Sequence, residues 1–162
     1  MESFSILPKL FSLRHLYLVL IITSENLPNM SQISRNFSLA ELIRTSQPYG
    51  NRPDLSAAIN LCYGVHRLLQ PLRDYLGCPI TITSAYRCSQ VNKAVGGVSN
   101  SQHLTGNAAD CVVPRDKFTK AVDYITENLP FDQLLIGKSF FHVSWVIGKE
   151  PRKQRIDGYY NY

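Results

Sequence analysis

Three side chains of this chain could act together on one metal ion. His103 and Asp110 stand seven residues apart in Ser101-Gln-His103-Leu-Thr-Gly106-Asn-Ala108-Ala-Asp110, and His142 lies in Phe140-Phe-His-Val-Ser-Trp-Val146. Asp110 falls inside an apolar run that reads as a buried strand. An ionised carboxylate is costly there unless something positive holds it. A divalent cation shared with both histidines would meet that cost. Two imidazoles and one carboxylate leave a corner of a tetrahedron open, the arrangement used by catalytic zinc. The plainer alternatives are a polar loop beside a turn-bonding acid for His103 and Asp110, and a satisfied core histidine for His142 taken alone. Cys111 points to the opposite face of the strand from Asp110 and is not expected to be a ligand.

Further groups gather around these three in the chain. Ser84-Ala-Tyr86-Arg87 ends the strand before the metal loop. An arginine fork is a usual grip on a carboxylate, so Arg87 could hold a peptide terminus; a surface ion pair is the alternative. If the last hairpin turns on Gly137-Lys138, Gln133 falls opposite His142, where it could orient a water or hold the imidazole. Asp132 then faces away unless the register slips by one.

The elements that must position these groups read as α+β, a small antiparallel sheet carrying the site and packed against helices. Ser38 and Glu41 form a capping box for a short helix to about Thr45. Asp54 caps a longer helix whose apolar positions step by three and four from Leu55 to Leu76. Pro71 should kink or split it, and Gly77 should end it. Residues 79–84 alternate as a strand, Ser89 to Val95 is a short helix, and 96–100 is a glycine-asparagine loop. A strand over 108–113 follows, then a helix opened by Pro114, with Phe118, Val122 and Ile125 on its inner face. Strands at 133–136 and 140–146 form the hairpin.

With 162 residues and 44% hydrophobic content, one domain over 30–150 has enough chain for a core. The net charge of +5 lies outside the first 29 residues, where Glu2, Lys9, Arg14 and Glu25 cancel. It suits an anionic partner such as a wall polymer, but no nucleic-acid signature is present and no nucleic acid is expected. The basic, tyrosine-rich tail over 151–162, with Arg152, Lys153 and Arg155, reads as a solvated end. The four cysteines form no C-x-x-C pair, so a cysteine zinc cluster is not expected; mostly free thiols are, with Cys62 and Cys111 in the core and a disulfide as the alternative. The apolar run Leu16–Ile22 is too short to span a bilayer. Residues 1–29 read as a disordered leader or an upstream artefact of a start at Met30, ahead of a weak signal peptide. His15 falls in that leader, and His66 is expected at the surface.

The runs S-A-Y-R, N-x-x-V-G-G, S-x-H-x-x-G-x-A-x-D, F-D-Q-L and H-V-S-W occur here in order from Ser84 to Trp145. Together they resemble the D-Ala-D-Ala carboxypeptidase family of zinc peptidases, which includes bacterial and phage peptidoglycan hydrolases. Its metal core is similar to that of the hedgehog signalling domain. The resemblance implies that His103, Asp110 and His142 bind Zn2+, and that Arg87, flanked by Ser84 and Tyr86, contacts the substrate carboxylate. It implies a peptidase acting on peptidoglycan stem peptides at the cell wall, in the periplasm, outside the cell or released by phage lysis; a monomer is expected. One departure stands out. Active relatives carry an acid a few residues before the last histidine as general base, and no carboxylate lies between Asp132 and His142 here. Asp132 is the nearest candidate base and Glu150 the second. A weak or inactive zinc module recognising wall peptides or a protein partner is the alternative.

Overall fold

A computed structural model describes residues 32–159. Expectations for the leader over 1–29 and for residues 160–162 lie outside the described residues. The architecture is α+β. A five-stranded sheet runs in the order β1-β2-β4-β3-β5, with β1 Thr81–Ser84, β2 Ala108–Val112, β3 Gln133–Ile136, β4 Phe141–Ser144 and β5 Gln154–Asp157. The first four strands pair antiparallel. The fifth corrects the expected solvated tail, because β5 pairs parallel with β3, Gln133 lying opposite Gln154 and Ile136 opposite Asp157. Its side chains are exposed, so its charges do face water while its backbone completes the sheet edge.

The helices follow the capping logic closely. In α1, Leu39–Leu42, the Ser38 hydroxyl accepts from the Glu41 N–H. In α2, Leu55–Gly64, Asp54 accepts from the Ala57 N–H at 2.7 Å. The chain does not split at Pro71. A π-helical stretch, Val65–Leu69, joins α2 to α3, Gln70–Leu76, and the Gln70 N–H reaches back to the Val65 carbonyl. The wider turn just ahead of the proline accommodates its ring and its missing donor. Gly77 then ends α3 with φ of 64°. A short helix α4, Ser89–Ala94, precedes the metal loop, and α5, Phe118–Asn128, buries Ala121, Val122 and Ile125. Tyr75 of α3 stacks on Tyr124 of α5 with ring centroids 3.8 Å apart.

Trp145 anchors the end of β4 against the helical layer. Its ring is fully buried, its Nε1 donates to the Asn60 carbonyl at 2.8 Å, and Gly64 makes room for it. A Cβ on Gly64 would lie 2.1 Å from the indole. One sheet face is core: Ile82, Cys111, Phe141 and Ile136 make one cross-strand row, and Ala109, Val143 and Leu134 another. The four cysteines are free thiols, with Cys62 and Cys111 buried.

The hairpin register differs from the expected one by two residues. Leu135, not Gln133, lies opposite His142. The Gly137 N–H donates to the Phe140 carbonyl at 2.9 Å, so Lys138-Ser139 form the turn. Gly137 is used instead as a strand end over which the Phe140 ring folds, since a Cβ there would meet that ring at 2.3 Å. A shift of two keeps Gln133 on the His142 face.

Candidate metal centre

Asp110 and His142 are direct cross-strand partners on β2 and β4, and Ser84 of β1 pairs with Asp110 on its other side. A register irregularity between Ile82 and Ser84 makes this possible. Ile82 stays in the core, while Ser84 and then Arg87 reach the Asp110 side of the sheet, the re-aiming that bulges perform. His103 comes from a 3-10 turn, Gln102–Thr105, closed by Gly106 at φ 70°. A Cβ on Gly106 would lie 2.4 Å from the Ala57 carbonyl oxygen, so both conformation and space demand glycine.

These elements bring His103 Nε2, His142 Nδ1 and Asp110 Oδ1 together. The separations are 3.2 Å between the imidazole nitrogens, 3.3 Å from His103 to Asp110 and 2.8 Å from His142 to Asp110. Metal–ligand bonds of about 2.0–2.1 Å in a tetrahedron place ligand atoms roughly 3.3 Å apart. The three atoms therefore fit one small cation and could hold it. The donor set is already oriented for that purpose. His103 Nδ1 lies 2.6 Å from the Ala85 carbonyl, so that nitrogen carries the proton and Nε2 presents its lone pair. The Arg87 N–H returns a bond to the His103 carbonyl at 3.1 Å, tying the two segments together. Burial pushes the His103 imidazole below its ordinary range, against the pull of Asp110, and favours the neutral, ligating form. Burial alone would raise Asp110, but hydrogen bonds and charge from His103 and His142 hold it well below the usual carboxylate range.

Arg87 sits beside this cluster and is committed on one edge. Its Nη2 contacts Asp110 Oδ2 at 2.5 Å and its Nε donates to Ser84 Oγ at 2.7 Å. Asp110 Oδ2 is thus neutralised, while Oδ1 faces the two imidazoles and could take a cation. Nη1 of Arg87 has no partner among the described residues. The cluster opens into a cavity of about 840 Å³ lined by Arg87, His103, Asp110 and His142, with Gln102, Asp132, Gln133, Lys149 and Arg152 on its other walls.

Asp132 is 2% exposed and fully engaged. It accepts from the Arg152 backbone N–H at 2.9 Å, from Arg152 Nε at 3.0 and 3.1 Å, from Arg152 Nη2 at 2.6 Å and from Gln102 Nε2 at 3.1 Å. Burial would raise its pKa, yet these Arg152 bonds hold it below the ordinary aspartate value.

A model of the family described as Peptidase M15 matches residues 35–144. The chain belongs to the peptidase M15 family. It is also similar to the zinc D-Ala-D-Ala carboxypeptidase of Streptomyces albus G, 37% identical over 78 residues, which is 46% of this chain and 30% of that protein. The chain therefore matches only about three tenths of that relative's length.

Within this peptidase M15 chain the sequence-expected residues fall into three groups. His103, Asp110, His142 and Arg87 converge. Ser84 joins them through Arg87. Tyr86 does not: it is 8% exposed in the hydrophobic core and absent from the cavity lining, its backbone held by Leu42 and Asn51. Gln133 lines the cavity, but its amide donates to Gln154 at 2.6 Å. Glu150 is exposed and outside the lining. The residues that sequence reasoning missed are Gln102 and Arg152. Arg152 is separated from Asp132 by 20 positions and reads as tail; only the parallel β5 pairing brings it to the cavity.

Proposed function

We propose that this peptidase M15 chain is a zinc-dependent peptidase that hydrolyses peptidoglycan stem peptides, of the D-Ala-D-Ala carboxypeptidase or endopeptidase type, acting at the cell wall. The observation that carries this reading is the convergence of three ligand atoms within 2.8–3.3 Å of one another on the wall of an open cavity. The similarity to a zinc D-Ala-D-Ala carboxypeptidase supports the choice of zinc and of substrate. His103, Asp110 and His142 would hold the ion. Bound there, Zn2+ would supply a Lewis acid for the peptide carbonyl and a water acidified to a pKa of about 7.

The chain's own residues do the rest. Ala85 fixes the His103 tautomer. Ser84 and Asp110 fix Arg87 in place, and its open Nη1 is directed to the substrate's carboxylate or to the oxygen that gains charge as the bond breaks. Asp132 is the nearest candidate base, but its oxygens are occupied by Arg152 and Gln102. This favours a second reading, a catalytically weak or inactive zinc module that recognises wall peptides: the two carboxylates lining the cavity, Asp110 and Asp132, are both committed. Zinc-loaded protein incubated with peptidoglycan decides between the two. Release of new amines that disappears in His103→Ala is the expected result. Stoichiometric zinc with no amine release from pH 5 to 9 would leave the module.

A further inference from the structure

The cavity carries more positive charge than its own groups neutralise. Arg87, Lys149 and Arg152 line it against Asp110 and Asp132. Arg87 is paired with Asp110 and Arg152 with Asp132, which leaves the Lys149 ammonium without a hydrogen bond or ion pair among the described residues. Lys149 also lines a smaller adjoining cavity of about 310 Å³, which shares Gln102 and Val146 with the first. Gln102, Val146 and Lys149 thus border both spaces.

Arg152 is built into this region rather than left on the surface. Asp132 grips its Nε and Nη2, and Gln102 Oε1 accepts from Nη2 at 3.4 Å. Nη1 has no partner among the described residues, and the side chain is 53% exposed. A guanidinium fixed on one edge and open on the other loses little freedom on taking up an anion. Arg87 and Arg152 come from opposite edges of the sheet, after β1 and before β5. Arg87 is tied to the metal cluster through Asp110, whereas Arg152 is tied to Asp132 and Gln102, which are not part of that cluster.

We propose that Lys149 and Arg152 form a second carboxylate subsite, selecting peptides with an acidic group set back from the bond to be cleaved, and that Asp132 is the positioning residue for Arg152. This rests on the peptidase reading above and names the substrate class for the same cleft. It also gives Asp132 a role that requires its carboxylate to stay ionised and bonded, unlike a general base.

The test uses the full zinc-loaded chain and alanine-based peptides ending in D-Ala-D-Ala. One glutamate is moved along each peptide, with a glutamine control at every position. Binding is measured by titration calorimetry and cleavage by amine release. The expected result is one position at which glutamate is preferred over glutamine by about 10-fold or more, the scale of a charge-assisted contact. That preference falls toward unity in Lys149→Gln, whose exposed side chain supports no fold contact, and in Arg152→Gln. Asp132→Asn lowers the preference through KM and leaves the acidic limb of the kcat–pH profile in place. An equal response to glutamate and glutamine throughout, or a preference that survives both cation variants, would overturn the subsite while the peptidase reading stands. A uniform loss of kcat in Asp132→Asn with a displaced acidic limb would make Asp132 the base instead. If wild-type protein neither binds nor cleaves any of the peptides, both readings fall.

Discussion

Ser84 shows how little of a reactive site lies in the residues that touch the reacting atoms. Its hydroxyl takes the Arg87 Nε at 2.7 Å, and Arg87 in turn neutralises Asp110 Oδ2. Ser84→Ala should therefore lower kcat/KM by about 10-fold while zinc content, measured by elemental analysis, stays stoichiometric, because orienting partners typically weigh that much. Asp132 offers a pH prediction at the same scale. Its pKa is depressed in the folded chain by Arg152, so its contribution to stability is fully present above the ordinary aspartate value of about 3.9 and is lost as pH falls through the folded value. Urea unfolding of wild type and Asp132→Asn between pH 7 and 2.5 should show the largest gap at the neutral end and convergence in acid. The convergence of His103, Asp110 and His142 was legible because a carboxylate in an apolar strand needs partners and the two histidines stand in the segments that flank it. Tyr86 was misplaced because adjacency to Arg87 says nothing about side-chain direction. The Asp132–Arg152 pair was invisible because no local pattern links residues 20 positions apart that only the pairing of β5 with β3 brings within reach.

At the scale of elements, caps and breaks were the readable part. Ser38, Asp54 and Gly77 mark helix ends through their own chemistry, and chemistry of that kind is written in single residues. The hairpin turn was not readable. Gly137-Lys138 is the more usual turn sequence, yet the packing of Phe140 over Gly137 moves the turn to Lys138-Ser139; tertiary contact overrode local preference. The junction of α2 with β4 yields a sharp prediction. Gly64→Ala would push a methyl group into the Trp145 indole, and overpacking of this kind costs about 1–3 kcal/mol. A urea midpoint unchanged from wild type would contradict the packing described, and restoration by Trp145→Phe would support it.

For the molecule as a whole, an ion held by His103, Asp110 and His142 would clamp together the loop after α4 and the strands β2 and β4. Zinc should therefore stabilise the entire fold, by about 2.7 kcal/mol at a hundredfold excess over Kd, read as a rise in Tm that a chelator reverses. Burial pushes the Cys62 thiol up to about 11 and raises Cys111 well above its ordinary value, so iodoacetamide at pH 7.5 should leave both unlabelled until the chain unfolds. Among the described residues no helix is long and apolar enough to cross a membrane. The α+β class and the site's location on the sheet were readable from alternation and spacing; the fifth strand was not, since a short, exposed, charged segment carries no strand signature.

The direct pairing of Asp110 with His142 has a consequence for how the protein assembles. Slippage of β4 along β2 by a single residue would bring Phe141 or Val143 to the ion and turn the imidazole into the interior. Only one alignment of the two ribbons can therefore capture a cation, and capture rewards that alignment alone. The ion would proofread strand assembly, and chains refolded without it should recover their native alignment more slowly than chains refolded with it.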